Sequence, residues 1–244
     1  MASQTWGREV AEAYDATTAV MSDPAVVGPA VDRLVELAAG GRALEFASGT
    51  GRIALPLNQR GVEVSGIELS PHMTEQLAAK PGAERVAVTL GDMTTTRVPG
   101  TFSLVYLVFN TIMNVTTLDD QIAVFTNAAA HLIPGGCFVV EVMIPTLRQL
   151  PQGELGRVFT LESDHIGLET FDDMVGQISW SHHWMEVNGQ TVRHSAPYRY
   201  VWPAELELMG RLTGFTLRDR WAWWDGRPLR SDSSEQIAVF EKRA

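Results

Sequence analysis

Hydrophobic and polar positions along the first part of the chain alternate between two spacings, one typical of buried strands and one typical of helices. The predicted strands are residues 43–46, 62–67, 86–90, 104–109 and 138–144. The predicted helices are residues 24–39, the stretch from the turn after 46 to about 60, 71–80 and 118–132. Strands and helices that alternate in this way predict a mostly parallel sheet with helices on both faces.

The pattern changes in residues 157–202, which lack a helical period. Asn188-Gly189 lies between alternating residues, which is a strong signal for a two-residue hairpin turn. We therefore predict an antiparallel β insertion after the fifth strand. A helix from Pro203 and two strands, 215–221 and 236–242, complete the chain.

Composition restricts the classes of function. Lys and Arg total 19 against 29 Asp and Glu, which gives a net charge of −10. We therefore expect no nucleic-acid or anionic-membrane partner. No stretch is apolar enough to span a membrane, and the N-terminal residues lack the apolar run of a signal peptide. The single cysteine, Cys137, enters an apolar strand and is interpreted as structural, so we expect a cytoplasmic protein.

A loop rich in small residues follows the first strand, in Ala43-Leu-Glu-Phe-Ala-Ser-Gly-Thr-Gly-Arg52. Small residues at 47, 49 and 51 let a ligand approach the backbone closely at the start of a helix. A nicotinamide-dinucleotide site would need Gly where Ala47 stands and a small residue where Arg52 stands. The segment fits the pattern E-x-(G/A)-x-G-x-G better.

Two acidic residues follow the next two strands. Glu68 ends the second strand, where a carboxylate can accept hydrogen bonds from both hydroxyls of an adenosine ribose. Asp92 follows the third strand, where it can accept from an adenine amino group while Met93 packs on the ring. Because the carboxyl ends of parallel strands meet at one edge of a sheet, these residues predict a single crevice for a nucleoside.

These residues resemble the class I S-adenosylmethionine-dependent methyltransferases. Phe109-Asn-Thr-Ile-Met-Asn114 is similar to the segment after the fourth strand in that family, and His131-Leu-Ile-Pro-Gly-Gly136 to its helix–turn–strand signature. A narrower likeness is to actinobacterial natural-product methyltransferases, including amino-sugar N-methyltransferases. The resemblance implies an α/β, Rossmann-like seven-stranded fold with an antiparallel β insertion. The departure is Ala47 in place of the usual glycine, which should be tolerated if the turn needs no positive φ.

The resemblance also implies the organisation of the chain. We expect an N-terminal lid segment (1–23), a core that binds S-adenosylmethionine (24–150), an insertion on the substrate side (151–202) and a C-terminal helix with two core strands (203–244). A tyrosine in the lid of this family closes over the methionine moiety, and Tyr14 is the candidate here, with Trp6 nearby. The predicted cofactor-binding residues are Tyr14, Glu45, Ala47, Ser48, Gly49, Gly51, Arg52, Glu68, Leu69, Ser70, Met73, Gly91, Asp92, Met93, Val108, Phe109 and Asn110.

The predicted reaction is methyl transfer to a small-molecule acceptor. Tyr14, Asn114 and His182 are the candidate catalytic residues, and Asn114 is expected to position a ligand rather than move protons. The histidines of the insertion match no spacing of metal ligands, so no metal is predicted, and His131 is placed on a helix surface. A neutral amine needs no base and a hydroxyl does, so the lack of a His-Asp pair favours N-methylation. O-methylation, protein methylation, a silent cofactor-binding module and a nicotinamide enzyme remain as alternatives.

The predicted hairpin has one apolar face. In its register Trp184 faces Arg193 and His183 faces His194, and Trp184 can stack on the guanidinium. The face that holds His183 also carries Met185, Val187, Tyr198, Tyr200 and Trp202. Such a face is expected to cover either the active site or a subunit interface in a homo-oligomer.

Overall fold

The computed structural model describes residues 7–187 and 189–243. Trp6 and Asn188 therefore lie outside the described residues. The α-helices in the described part of the chain are α1 (Arg8–Thr17), α2 (Pro24–Ala38), α3 (Ala54–Gln59), α4 (Pro71–Ala78), α5 (Leu118–His131) and α6 (Pro203–Leu212).

Seven strands form the main sheet, in the order β10-β11-β5-β4-β1-β2-β3. Their bounds are β1 (Ala43–Phe46), β2 (Val64–Glu68), β3 (Ala87–Leu90), β4 (Phe102–Leu107), β5 (Leu132–Met143), β10 (Phe215–Trp221) and β11 (Glu235–Lys242). Strands β1 to β5 pair in parallel, and β11 is antiparallel to both β5 and β10. The chain therefore has the predicted seven-stranded Rossmann-like fold.

Helices bury apolar side chains on both faces of this sheet. On one face, Leu34 of α2 and Leu57 of α3 are fully buried in a cluster with residues of β1 and β4. On the other, the Phe125 ring of α5 meets Phe138 at 5.0 Å and Phe240 at 5.3 Å, edge to face. Each such side chain contributes about 1.5–3 kcal/mol by burial, so the sheet offers a rigid base for its loops.

A second, antiparallel sheet of four strands follows β5. It comprises β6 (Gly156–Leu161), β7 (His165–Asp173), β8 (Ile178–Val187) and β9 (Gln190–Arg199), in that order. The predicted register is confirmed, since Trp184 pairs with Arg193 and His183 with His194. The Arg193 guanidinium lies 5.5 Å from the Trp184 ring centroid.

A buried ion pair joins this second sheet to the core. Arg199, at the end of β9, donates to Oε1 of Glu205 in α6 at 2.6 Å and to Oε1 of Gln121 in α5 at 2.6 Å. Gln121 in turn donates to the Arg199 carbonyl at 3.2 Å. The joint fixes the position of the four-stranded sheet over the carboxyl edge of the main sheet.

Two expectations about local structure were wrong. Pro134-Gly135-Gly136 is a bulge inside β5 rather than a turn before it, because the pairing with β4 shifts between Leu132 and Cys137. His131 is buried rather than on a helix surface. Its Nδ1 donates to the Asn127 carbonyl at 2.9 Å and its Nε2 accepts from the Val98 amide at 3.0 Å. Burial lowers the pKa of His131, so its ring stays neutral and structural.

In the described part of the chain, no helix has the length and apolar character needed to cross a membrane.

Candidate active site

A cavity of about 590 Å³ lies between the carboxyl ends of the core strands and the four-stranded sheet. Loops after β1, β2, β3 and β4 form one side of it, α1 contributes Tyr14, and β6 to β9 form the opposite wall. Crevices at the carboxyl ends of parallel strands are where open α/β sheets bind ligands. The cavity is therefore the candidate site.

The loop after β1 turns sharply along the cavity. Ala47, Gly49 and Gly51 have φ of +55°, +53° and +83°. The expectation that position 47 needs no positive φ is therefore wrong, and Ala47 adopts a conformation that costs an L-residue about 1–2 kcal/mol. A Cβ at Gly49 would meet only the Ala47 carbonyl, at 4.0 Å, so open space adjoins the backbone there.

Glu68 holds this loop in place. Its Oε2 accepts from the Gly49 amide at 2.8 Å and its Oε1 from the Ser70 amide at 2.7 Å. Burial raises the pKa of the carboxyl, while these amides lower it. A carboxylate offers about four acceptor positions, so Glu68 can hold the loop and still accept from ribose hydroxyls.

Glu45 lies beneath the loop rather than on the cavity wall. The side chain is buried, and burial raises the pKa of Glu45 to about 8 although the Arg52 guanidinium lowers it. Its Oε2 has no hydrogen-bond partner within the described residues. A buried polar atom of this kind is costly to leave unpaired, so Glu45 supports the loop from behind rather than the cavity directly.

Asp92 is exposed at the opposite end of this side. The Thr94 amide and hydroxyl both donate to Oδ1, at 2.8 and 2.7 Å. Within the described residues no hydrogen bond engages the second oxygen, and its contact with an adenine amino group stays a prediction.

The loop after β4 is strained and firmly held. Phe109 and Asn110 both have φ of +59°, although neither is glycine. Glu141 accepts from the Phe109 amide at 2.8 Å and from Trp224 Nε1 at 3.1 Å, and Arg52 lies 4.2 Å above the Phe109 ring. Strain of this kind persists only where neighbours enforce it, and it is frequent in ligand sites. Sequence reasoning missed Glu141 because it lies a whole helix and strand away from Phe109.

Helix α1 is fastened over the β1 loop by a charged cluster. The Thr50 hydroxyl donates to Oδ1 of Asp15 at 2.6 Å, and Lys80 Nζ contacts Oδ2 at 2.6 Å and the Thr50 carbonyl at 2.8 Å. The adjacent Tyr14 lines the cavity, and burial raises the pKa of its hydroxyl while Arg52 lowers it.

The wall opposite the loops comes from the four-stranded sheet. Its lining side chains are Arg157, Phe159, Glu169, Ser181 and Tyr198. Burial raises the pKa of Glu169, and the nearby Arg157 lowers it, with Nε 3.6 Å from the carboxylate. Apart from Tyr198, sequence reasoning missed this wall, since strand alternation alone does not show which face meets the core. Tyr198 and Ser181 place the apolar hairpin face over the cavity at this end.

The predicted residues divide into two groups. Those that line the cavity are Tyr14, Ala47, Gly49, Glu68, Leu69, Met73, Gly91, Asp92, Met93, Phe109, Asn110 and Asn114. Those that do not are Glu45, Ser48, Gly51, Arg52, Ser70, Val108 and His182. Most of the second group supports the first from behind; Ser70, for example, caps α4 by accepting from the Met73 amide at 3.3 Å.

His182 has no such supporting position. His182 and Ser181 lie on opposite faces of β8. On its own face, His182 Nδ1 contacts Ser195 Oγ at 2.8 Å and Nε2 contacts Thr170 Oγ1 at 3.3 Å. The prediction of a general base at His182 therefore lacks geometric support.

Comparisons with known proteins agree with this geometry. A family model described as a methyltransferase domain matches residues 43–136. The CcbJ methyltransferase from Streptomyces caelestis is similar in structure, with 31% identity, 98% of each chain covered and a TM-score of 0.85. The cypemycin N-terminal methyltransferase from a Streptomyces species is 26% identical over 236 residues, or 95% of each chain. CalS10 from Micromonospora echinaspora, an amino pentose methyltransferase solved with bound S-adenosylmethionine, shares the fold at 21% identity and a TM-score of 0.67, with 88% and 89% of the chains covered.

Proposed function

Because this chain belongs to the S-adenosylmethionine-dependent methyltransferases, we propose that its acceptor is an amine of a small natural product. One observation carries the proposal. The cofactor-side loops and the acidic Glu169 line opposite sides of the same cavity. A methyl donor held by the loops and a cation held by Glu169 would therefore face each other.

Glu169 favours an amine over an alcohol. Its side chain is only 14% exposed, so water screens it weakly, and beside Arg157 it can still accept a hydrogen bond from an amine. A hydroxyl acceptor gains most from a base with a pKa near 7. Within the described residues no imidazole is part of the cavity lining, so an acceptor hydroxyl would have no imidazole base in direct contact.

The residues of this chain would bind the cofactor and orient the acceptor. Glu68 and Asp92 would hold the ribose and adenine, and the β1 loop, with Glu45 beneath it, the methionine end. When bound, S-adenosylmethionine supplies a methyl group that is already strongly electrophilic. We further propose that residues 1–23 act as a lid, and that Tyr14 and Asn114 align the acceptor and exclude water.

The first experiment is calorimetric titration with S-adenosylhomocysteine. We expect a dissociation constant near 10 μM or tighter, about −7 kcal/mol, and at least a tenfold weaker constant in Asp92→Ala. Asp119→Ala is the matched control, since this acidic residue lies in the first turn of α5 and is not part of the cavity lining. Binding of NADH in place of S-adenosylhomocysteine would contradict the assignment of the crevice.

The second experiment identifies the acceptor class. Formation of S-adenosylhomocysteine is followed with methyl glycosides of amino sugars, with short peptides that have free N-terminal amines, and with the hydroxyl analogue of each. We expect turnover with amines only. Glu169→Gln should raise the KM for the amine several-fold and leave the cofactor dissociation constant unchanged. Turnover of the hydroxyl analogues at equal or higher kcat/KM would refute an amine acceptor.

A further inference from the structure

Three polar side chains form a continuous hydrogen-bonded chain at one end of the cavity. Ser181 Oγ lies 2.9 Å from His183 Nε2, and His183 Nδ1 lies 2.9 Å from His165 Nε2. Ser181 lines the cavity. His165 is the first residue of β7, next to an exposed loop of residues 162–164. The chain therefore runs from the cavity wall to the protein surface.

The packing around His183 keeps this route narrow. Gly167 is the cross-strand partner of His183, and the Phe159 ring fills the space where a side chain would stand, since a Cβ at Gly167 would lie 2.3 Å from the ring. The Phe159 and His183 rings also meet edge to face, with centroids 5.5 Å apart. The centroids of the His165 and His183 rings are 5.1 Å apart. Both imidazoles are thus fixed in orientation.

We propose that Ser181, His183 and His165 form a proton relay that deprotonates the bound acceptor amine and delivers its proton to solvent. This inference rests on the proposed amine acceptor. An alkylammonium has no lone pair, so an amine that arrives protonated must lose a proton before it can attack a methyl group. Ser181 is the cross-strand neighbour of Glu169, the residue proposed to attract that ammonium.

The proton transfer is balanced at each atom. The ammonium gives a proton to Ser181 Oγ as the serine hydroxyl gives its own to His183 Nε2. The imidazolium formed at His183 passes its Nδ1 proton to His165 Nε2, and His165 releases a proton to water. The N–H bond that breaks leaves its electron pair on nitrogen as the lone pair of the neutral amine, and no oxidant or further reactant is needed.

The surroundings of His183 keep its ring neutral before the transfer. Burial lowers the pKa of His183, and His165, His194 and His182 lower it further. Phe159 from β6 and His165 from β7 contact the ring, and His182 from β8 and His194 from β9 are the other titratable groups that lower its pKa. A neutral ring at pH 7 can accept from Ser181, and a ring that holds a proton only weakly passes it on. Acid that protonates His183 would close the relay.

The test compares the pH dependence of kcat/KM in three variants. The probes are the amino-sugar glycosides and N-terminal peptides of the acceptor panel. An N-terminal amine has a pKa near 8, so only about a tenth is neutral at pH 7. For Ser181→Ala and His183→Gln we expect about a tenfold loss at pH 7 that disappears above pH 9, where the amine arrives neutral. His72→Gln, a histidine of α4 that contacts Glu75 and takes no part in the relay, should keep the wild-type profile.

Each other outcome rejects the relay in a distinct way. A loss of equal size at every pH in Ser181→Ala and His183→Gln means a packing role only. An unchanged profile in both means that the proton leaves by another route, although amine methylation itself stands. If the wild-type enzyme binds S-adenosylhomocysteine but methylates no amine at any pH, the amine proposal fails and the relay fails with it.

A second readout needs no turnover. Long-range ¹⁵N–¹H spectra of the imidazoles report which ring nitrogen carries the proton. We expect His183 to be neutral near pH 6.5 with its proton on Nδ1, and its Nε2 resonance to shift in Ser181→Ala. A proton on Nε2, or an Nε2 resonance that does not shift when the serine hydroxyl is removed, would overturn the relay.

Discussion

Asp15→Asn tests whether α1 acts as a lid over the cofactor. Asp15 joins α1 to Thr50 in the β1 loop and to Lys80 just beyond α4. Asparagine keeps the shape and can still accept from the Thr50 hydroxyl, but it loses the charge that attracts Lys80. If closure of α1 is part of cofactor binding, the loss appears as weaker affinity rather than as unfolding of the core.

The magnitude follows from the exposure of the pair. A fully buried charged hydrogen bond would contribute about 1.5–3 kcal/mol. The Lys80 and Asp15 side chains are 29% and 45% exposed, so solvent screening reduces this toward the value of a surface pair. We therefore expect Asp15→Asn to lose about 1 kcal/mol of binding free energy, which corresponds to roughly a fivefold rise in the dissociation constant of S-adenosylhomocysteine.

Calorimetry at two salt concentrations measures the effect. In about 1 M NaCl, where the Debye length is about 3 Å, the difference between wild type and Asp15→Asn should shrink. Glu12→Gln is the control, because Glu12 lies on the same helix in an exposed pair with Arg8. A change below twofold in Asp15→Asn, or one no larger than in Glu12→Gln, would refute the lid.

The pH dependence gives a further check on the same contact. Against the desolvation that burial imposes, hydrogen bonds from Lys80 and Thr50 hold the pKa of Asp15 below its usual value. A depressed pKa means that the stabilisation is complete above the ordinary aspartate value and is lost as pH falls through the folded value. The ratio of the two affinities should therefore stay constant between pH 5 and 9.

Two stability predictions concern other parts of the chain. Glu205→Gln weakens the buried pair with Arg199 and should lower the free energy of unfolding by about 2–3 kcal/mol, or Tm by about 4–12 °C, in thermal unfolding. Arg211→Gln, in an exposed pair on the same helix, should lower it by no more than about 0.5 kcal/mol. An equal fall in both variants would contradict the buried joint. Ala47→Gly relieves a positive φ and should raise stability by up to about 1 kcal/mol after the entropy of glycine is subtracted. Ala39→Gly, with φ of +49° at the end of α2, should do the same without touching the cavity, and a fall in Tm for Ala47→Gly alone would show that the strain is not there.

The cofactor side of the cavity was largely predictable because its residues come from short segments at strand ends. Once the strands are assigned, the parallel sheet brings Gly49, Glu68 and Asp92 to one edge, and no longer-range information is needed. The wrong predictions concerned the local conformation or burial of single residues. Hydrophobic periodicity does not report φ, so the strain at Ala47 was missed. It also treats a histidine as polar, so the buried His131 was placed outside.

The acceptor side was not predictable in the same way, and the reason is physical. Glu169, Ser181 and Tyr198 come from three antiparallel strands, and they meet only through cross-strand pairing. Successive residues of a strand lie on opposite faces of the sheet. Which face is turned to the cavity therefore decides whether Ser181 or His182 lines it. The Arg199 joint to α5 and α6 decides that choice, since it fixes which face of the sheet is turned to the core strands. The proposed acceptor wall thus depends on a tertiary contact outside the cavity, and on that proposal we expect changes at Glu205 to alter acceptor KM as well as stability.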